Sequence, residues 1–223
     1  MIPLRDVIPS RTTPVVTVGL IAVNAAVFLY EQSLPAPDLD AFVMTFGLVP
    51  LHFSPGAVLT SMFLHGGWLH VLGNCLYLWI FGDNVEDRVG HGRFLGFYLA
   101  CGATAACVQV WMTPESAVPM VGASGAIAGV MGAYFVLFPH SRILTLLPIF
   151  FFIQIVEVPA LVFLGFWFLI QLLSGMGSLG VETSADVGGV AFWAHVAGFA
   201  AGGIGIFIAR RPERQRPAWW DRA

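Results

Sequence analysis

The sequence contains no lysine, and only 10% of its 223 residues are charged. A soluble domain carries about 25% charged residues, so a water-soluble globular protein is excluded. Segments of alternating polarity, the mark of a membrane β-barrel, are also missing, because the apolar runs are continuous. Cysteine is scarce. Cys75, Cys101 and Cys107 all fall in apolar runs and show no CxxC spacing, so buried small thiols are the plain reading. No internal repeat is apparent, which argues against a transporter built from inverted halves. What is abundant is apolar sequence: 57% of residues are hydrophobic and mean hydropathy is +0.81. The chain reads as an integral membrane protein.

At about 20 apolar residues per crossing there is room for five to seven helices. Six segments stand out, about Pro14 to Tyr30, Ser61 to Phe81, Phe94 to Met112, Ser124 to Phe138, the second half of Ile143 to Leu173, and Gly188 to Ala209. The arginines support this number. Arg5 and Arg11 precede the first segment, and Arg88 and Arg93 lie between the second and third. Arg142 follows the fourth; Arg210, Arg211, Arg214, Arg216 and Arg222 follow the sixth. Six crossings put every one of them on one side. The opposite loops hold Glu31, Asp38, Asp40, Glu115, Glu182 and Asp186. The positive-inside rule makes the arginine side cytoplasmic. The expectation is an all-α membrane protein: a six-transmembrane-helix bundle over 14–209, between a short cytoplasmic segment 1–13 and an Arg-rich cytoplasmic tail 210–223. No soluble domain fits at either end. The prolines of SLPAPD stand where a signal peptide needs a small-residue cleavage site, so the first segment is expected to be retained.

Three connections carry further expectations. Glu31 to Pro55 is long and partly apolar, suited to the membrane interface. Ile143 to Glu157 is too apolar for water and is broken at Pro148, which suits an interfacial or re-entrant stretch. Ser174 to Gly188 is rich in Gly and Ser and reads either as a mobile lid or as a plain connector. Trp219 and Trp220 would sit at the cytoplasmic interface or in an unstructured tail.

Polar groups inside a bilayer are costly and tend to be functional. His70, Asn74, Ser124 and His195 are the four that matter. His70 and Asn74 are four apart and share one helical face; His65 lies one to two turns outward. Ser124 sits in GASGAIAGVMGAY and His195 in AFWAHVAGFAAGG. Small residues at Gly125, Gly129 and Ala133 on one helix, and at Gly198 and Gly202 on the other, would let these helices touch almost backbone to backbone. His195 could then take the Ser124 hydroxyl proton. The N-terminus of the Ser124 helix offers free N–H groups and a positive dipole end, and His70 and Asn74 add side-chain donors for an oxyanion. For this geometry Ser124 must start below the outer surface. No acid is evident as a third member; Glu157 alone lies well inside an apolar run. The pattern predicts a Ser–His dyad.

With Gly122-Ala-Ser124-Gly125 as a GxSG motif, His65-x4-His70-x3-Asn74, and Ala194-His195-x2-Gly198-x3-Gly202, the chain resembles the rhomboid family of intramembrane serine proteases over nearly its whole length. The resemblance implies a Ser124 nucleophile, a His195 base, and an oxyanion site from His70, Asn74 and the Ser124 backbone. His65, Gly122, Gly125, Gly198 and Gly202 would support them. It implies hydrolysis of peptide bonds in or beside a substrate's transmembrane segment. The implied partners are transmembrane protein substrates and the lipid bilayer, with no nucleic acid, cofactor or metal. A short chain with an Arg-rich inside suits a bacterial inner membrane. Two departures stand out. Some relatives carry a Trp-Arg pair in the first outer loop, which Glu31 to Pro55 lacks. Some carry a tyrosine one turn after the serine, packed on the histidine, where this chain has Ala128. Phe192 or Trp193 is expected to hold the His195 ring instead. The rival readings are an inactive rhomboid-like adaptor that binds transmembrane helices, and a small metal channel using His65, His70 and His195.

Overall fold

Prolines and glycines set the boundaries of the helices. Helix α1 (Val15–Ser33) follows Pro14, and α2 (Ala36–Phe46) follows Pro35 and stops at Gly47. The short α3 (Pro55–Thr60) begins on a proline, a residue whose missing N–H costs nothing at a helix start. Gly90, at φ +86°, separates α4 (Trp68–Val89) from α5 (His91–Met112). Helix α6 (Ser124–Leu137) ends just before Pro139, α7 (Ala160–Ser178) follows Pro159, and α8 (Phe192–Ala209) completes the set. This computed structural model describes residues 1–149, 152–178 and 191–210. The expected tail residues Arg211, Arg214, Arg216, Arg222, Trp219 and Trp220, and the outer acids Glu182 and Asp186, lie outside the described residues.

The fold is mostly helical but not all-α. Strands β1 (Ile2–Asp6), β2 (Arg142–Ile149) and β3 (Phe152–Pro159) form an antiparallel sheet in the order β1-β2-β3. The stretch expected to be interfacial or re-entrant is therefore a hairpin, and the segment 1–13 supplies its third strand. A continuous apolar run does not distinguish strand from helix by periodicity. The signal that does is local: Ile153, Ile155, Val156 and Val158 are β-branched and fit a pleated surface. Ile143 and Thr145, two apart, are both fully buried beneath the sheet.

Among the described residues, four helices, α1, α5, α7 and α8, are long and apolar enough to cross a membrane. Helix α6 has 14 residues, about 21 Å at 1.5 Å per residue, less than the hydrocarbon thickness of about 30 Å. Helix α4 is 22 residues long but ends in Asp83, Glu86, Asp87 and Arg88.

Those acids have structural partners. Glu86 is fully buried and accepts the Val16 N–H at 3.0 Å, the Thr17 N–H at 2.8 Å and the Thr17 hydroxyl at 2.7 Å. It thereby caps α1, whose first amides have no intrahelical acceptor. Asp87 accepts the Arg11 and Thr12 amides, and Asp83 the Ser10 hydroxyl. Asp6 on β1 accepts Asn84 Nδ2–H at 2.9 Å and the Tyr134 hydroxyl at 2.7 Å. The sheet is thus bolted to α4 and α6.

Burial pushes the Asp6 carboxyl up to about 6, against about 3.9 in an unfolded chain. The folded state then binds the proton more tightly than the unfolded state. The stability gained this way is fully present below about pH 4 and is lost as pH rises through about 6. Melting temperature in detergent micelles should fall between pH 5 and 7, and Asp6→Asn should flatten that slope. Thermal unfolding at stepped pH checks both.

Candidate active site

Helices α6 and α8 run parallel and in backbone contact. A Cβ on Gly198 would lie 2.1 Å from the Gly125 carbonyl oxygen, and one on Gly202 would lie 1.8 Å from that of Gly129. From the other side, a Cβ on Gly132 would meet the Phe199 carbonyl oxygen at 2.0 Å. Of the stripe expected at Gly125, Gly129 and Ala133, the first two make these contacts, and the third close approach is at Gly132, one residue before Ala133. The close approach carries Ser124, the first residue of α6, to His195 in the first turn of α8. Ser124 Oγ and His195 Nε2 are 2.7 Å apart.

A third partner comes from α7. His195 Nδ1 is 2.7 Å from Gln171 Oε1, and the Trp167 ring lies 5.8 Å from the imidazole, centroid to centroid. The ring packed on His195 is therefore Trp167, not Phe192 or Trp193; Trp193 packs on Gly175 of α7. Ala128, where some relatives have tyrosine, is buried beside Gly198. Glu157 is far from this site in the sheet, paired with Arg142 at 3.1 Å. The sequence held a signal for the α7 pair: Trp167 and Gln171 are four apart, on one helical face, and Gln171 is the single amide in an otherwise apolar run.

His70 and Asn74 project from the first turns of α4 toward the same place. Gly122 shows how tightly. Its φ of +121° lies in the region only glycine adopts readily, and a Cβ there would sit 2.6 Å from His70 Nε2 and 3.6 Å from Asn74 Nδ2. The Gly122 amide donates to the Ser61 carbonyl at 2.8 Å, fixing the entry to α6. The Gly66 amide points at His70 Nδ1 at 3.4 Å, which leaves Nε2 to carry the ring proton. Asn74 Nδ2 is buried and has no partner among the described residues. His65 precedes α4 rather than lying in it. Its Nδ1 is 3.2 Å from the Phe63 carbonyl, and its ring packs edge-on against His70 at 5.2 Å.

His70, Asn74, Gly122, Ser124 and His195 line one cavity of about 690 Å³, with Met120 and Trp167 among its walls. His70, Asn74, Ser124 and His195 all lie near helix N-termini, so several positive dipole ends converge on it. The connection expected to be the first outer loop is anchored without a Trp-Arg pair. Leu48 and Met120 exchange backbone hydrogen bonds at 3.0 and 2.8 Å, and Leu51 N–H donates to Ser116 O. Glu31 belongs to α1, is buried, and accepts the His65 amide at 3.2 Å. Much of the remaining stretch is helix α2 rather than loop. The stretch expected as a lid or a plain connector divides: Ser174 to Ser178 form the end of α7, and residues 179–188 lie outside the described residues. Among the described residues, no group of three or more His, Cys, Asp or Glu side chains is placed to hold a metal ion.

The family model for the rhomboid domain matches residues 55–212, so the chain belongs to the rhomboid family. Rhomboid protein 1, mitochondrial, of Saccharomyces cerevisiae is 28% identical over 205 residues, covering 89% of this chain and 54% of that protein. Rhomboid protease GluP of Bacillus subtilis is 36% identical over 123 residues, 55% of this chain and 23% of GluP. The presenilin-associated rhomboid-like protein, mitochondrial, of Mus musculus is 30% identical over 141 residues, 60% of this chain and 36% of that protein. The chain thus spans from about a quarter to about half of these relatives' lengths.

Proposed function

We propose that this protein is an intramembrane serine endopeptidase that hydrolyses peptide bonds in or next to transmembrane segments of membrane-protein substrates. The observation that carries the reading is the 2.7 Å approach of Ser124 Oγ to His195 Nε2, beside a buried Asn74 Nδ2 that has no partner among the described residues. His195 takes the Ser124 proton as Oγ attacks the scissile carbonyl carbon. The oxyanion is held by the Ser124 backbone N–H, His70 Nε2–H and Asn74 Nδ2–H. His195 then gives its proton to the leaving amine, and water hydrolyses the acyl-Ser124 ester by the same steps. A helical substrate must unwind locally first, because its peptide bonds are internally hydrogen-bonded and shielded. Helix-breaking and small residues near the cut ease that step.

In this reading six helices cross the bilayer, both ends of 14–209 face the cytoplasm, and the sheet lies on the arginine side. The short α6 is accommodated by starting beneath the outer surface, where irregular backbone lines a cavity. The similarity does not select a bacterial inner membrane, the location the sequence pattern pointed to. Relatives named for mitochondria stand beside the Bacillus subtilis ones.

The test is covalent labelling of purified protein by a fluorophosphonate, read by intact mass, for wild type, Ser124→Ala and His195→Ala. One adduct on wild type, absent from both variants, is the expected result. No adduct on folded wild type, with the probe shown to enter the micelles, overturns the reading in favour of an adaptor that binds transmembrane helices.

A further inference from the structure

The Ser124–His195 contact works in one direction only when the imidazole holds its proton on the far nitrogen. A neutral imidazole has one N–H and one lone pair, and either nitrogen can carry the proton. With the proton on Nε2, His195 would donate to Ser124 and could not accept its hydrogen. The described residues supply one partner that decides between the two. Gln171 Oε1 lies 2.7 Å from His195 Nδ1. An amide oxygen only accepts, so this contact requires a hydrogen on Nδ1 and leaves the lone pair on Nε2, 2.7 Å from Ser124 Oγ.

We propose that Gln171 is a positioning residue that fixes His195 in the tautomer able to take the Ser124 proton. The proposal rests on the reading of Ser124 and His195 as nucleophile and base. It replaces a two-member arrangement by a chain of three, Gln171–His195–Ser124, spanning α7, α8 and α6. The third member is neutral, which suits its place. A carboxylate would bring a charge into the apolar interior, where desolvation is heavily unfavourable. The amide orients the ring without that burden. Trp167, one turn before Gln171 on α7, covers the imidazole and limits its rotation. The neighbouring elements add little charge of their own. Helix α6 faces the ring with Ser124 and α7 with Trp167 and Gln171. From α5, Gln109 accepts the adjacent Ala194 amide at 3.1 Å. His70 on α4 is the nearby titratable group that acts on His195.

The second-order rate of fluorophosphonate labelling, followed from pH 5 to 9 in detergent micelles, tests this without a known substrate. Gln171→Leu removes the acceptor and should slow labelling by roughly 10- to 1,000-fold at every pH, below the ~10⁴-fold loss seen when a charged orienting group is neutralised. Gln171→Glu restores an acceptor and adds a charge that favours the imidazolium. It should recover most of the rate at high pH, with the acid limb of the profile moved upward by about one pH unit or more. A merely structural tie between α7 and α8 would lower the melting temperature of Gln171→Leu and leave the Gln171→Glu profile in place. A second measurement needs no variant of Gln171. Nitrogen-15 spectra of histidine-labelled wild type at pH 8, with His195 assigned by its loss in His195→Ala, should show the proton on Nδ1. A proton on Nε2, or Gln171→Leu labelling within about threefold of wild type, overturns the proposal. The tautomer is read whether or not the protein labels, so an unreactive Ser124 would sink the protease reading separately from this one.

Discussion

Gly202→Ala should leave little folded protein at ambient temperature. The added Cβ would sit 1.8 Å from the Gly129 carbonyl oxygen, 2.4 Å from its carbon and 2.6 Å from its Cα. All three are backbone atoms in the middle of α6, so no side chain can rotate away. Relief requires α6 and α8 to separate, which opens the close contacts at Gly125, Gly129 and Gly132 together. Overpacking against side chains typically costs about 1–3 kcal/mol. Here the obstruction is rigid, and a loss beyond about 4 kcal/mol is expected. The neighbouring Gly203→Ala is the control. Its Cβ would meet the Gly132 oxygen at 3.5 Å, an ordinary contact, and alanine is the better helix former by up to about 1 kcal/mol. Thermal unfolding in micelles, with thiol reactivity of buried Cys101 as the local probe, should separate the two. A Gly202→Ala protein as stable as Gly203→Ala would mean that the helices do not pack this closely.

The largest kinetic effect is expected at Ser124. Ser124→Ala should lower cleavage of a reporter transmembrane segment by at least ~10⁴-fold, about 5.5 kcal/mol of barrier. Adding His195→Ala to it should lower the rate no further, because the two side chains act as one unit. Asn74→Leu is a different case. It removes one oxyanion donor and leaves the nucleophile, so a loss of about 10²–10³-fold is expected, about 3–4 kcal/mol. It should fall on kcat and leave KM nearly unchanged, since the donor's partner exists only in the transition state. Initial rates over a range of substrate concentrations check the split. Equal losses in Asn74→Leu and Ser124→Ala would remove Asn74 from the oxyanion site.

The parts of the fold that follow a local period were legible in the sequence. The spacing of His70 and Asn74, and of Gly198 and Gly202, put each pair on one helical face, and the structure brings both faces to Ser124. What escaped depended on distant partners. Ile2 pairs with Leu146, and nothing in either segment announces the other. Without that pairing, the hairpin's apolar residues read as membrane-associated. Glu86 lies between the expected second and third segments, and nothing nearby in the sequence marks it for burial; it is buried because two amides and a hydroxyl of α1 surround it. Gln171 was hidden for another reason. One amide in an apolar helix commonly serves as interhelical glue, and only the position of His195 gives it another role.

The pairing of β1 with β2 also bears on how the chain is made. Strand β1 leaves the ribosome well before its partner, with Ile2 joined to Leu146 in the finished sheet. At about 5–20 residues per second, that interval lasts roughly 7–30 seconds, while α1 to α6 are made. During this time Ser10, Arg11 and Thr12 can already dock on Asp83 and Asp87 once α4 is made. Made at that stage, those contacts would hold β1 near α4, beside which β2 later pairs with it. The acids at the end of α4 tie the segment after β1 to α4 in the finished fold, and the same contacts, made early, would shorten a search that otherwise spans most of the chain.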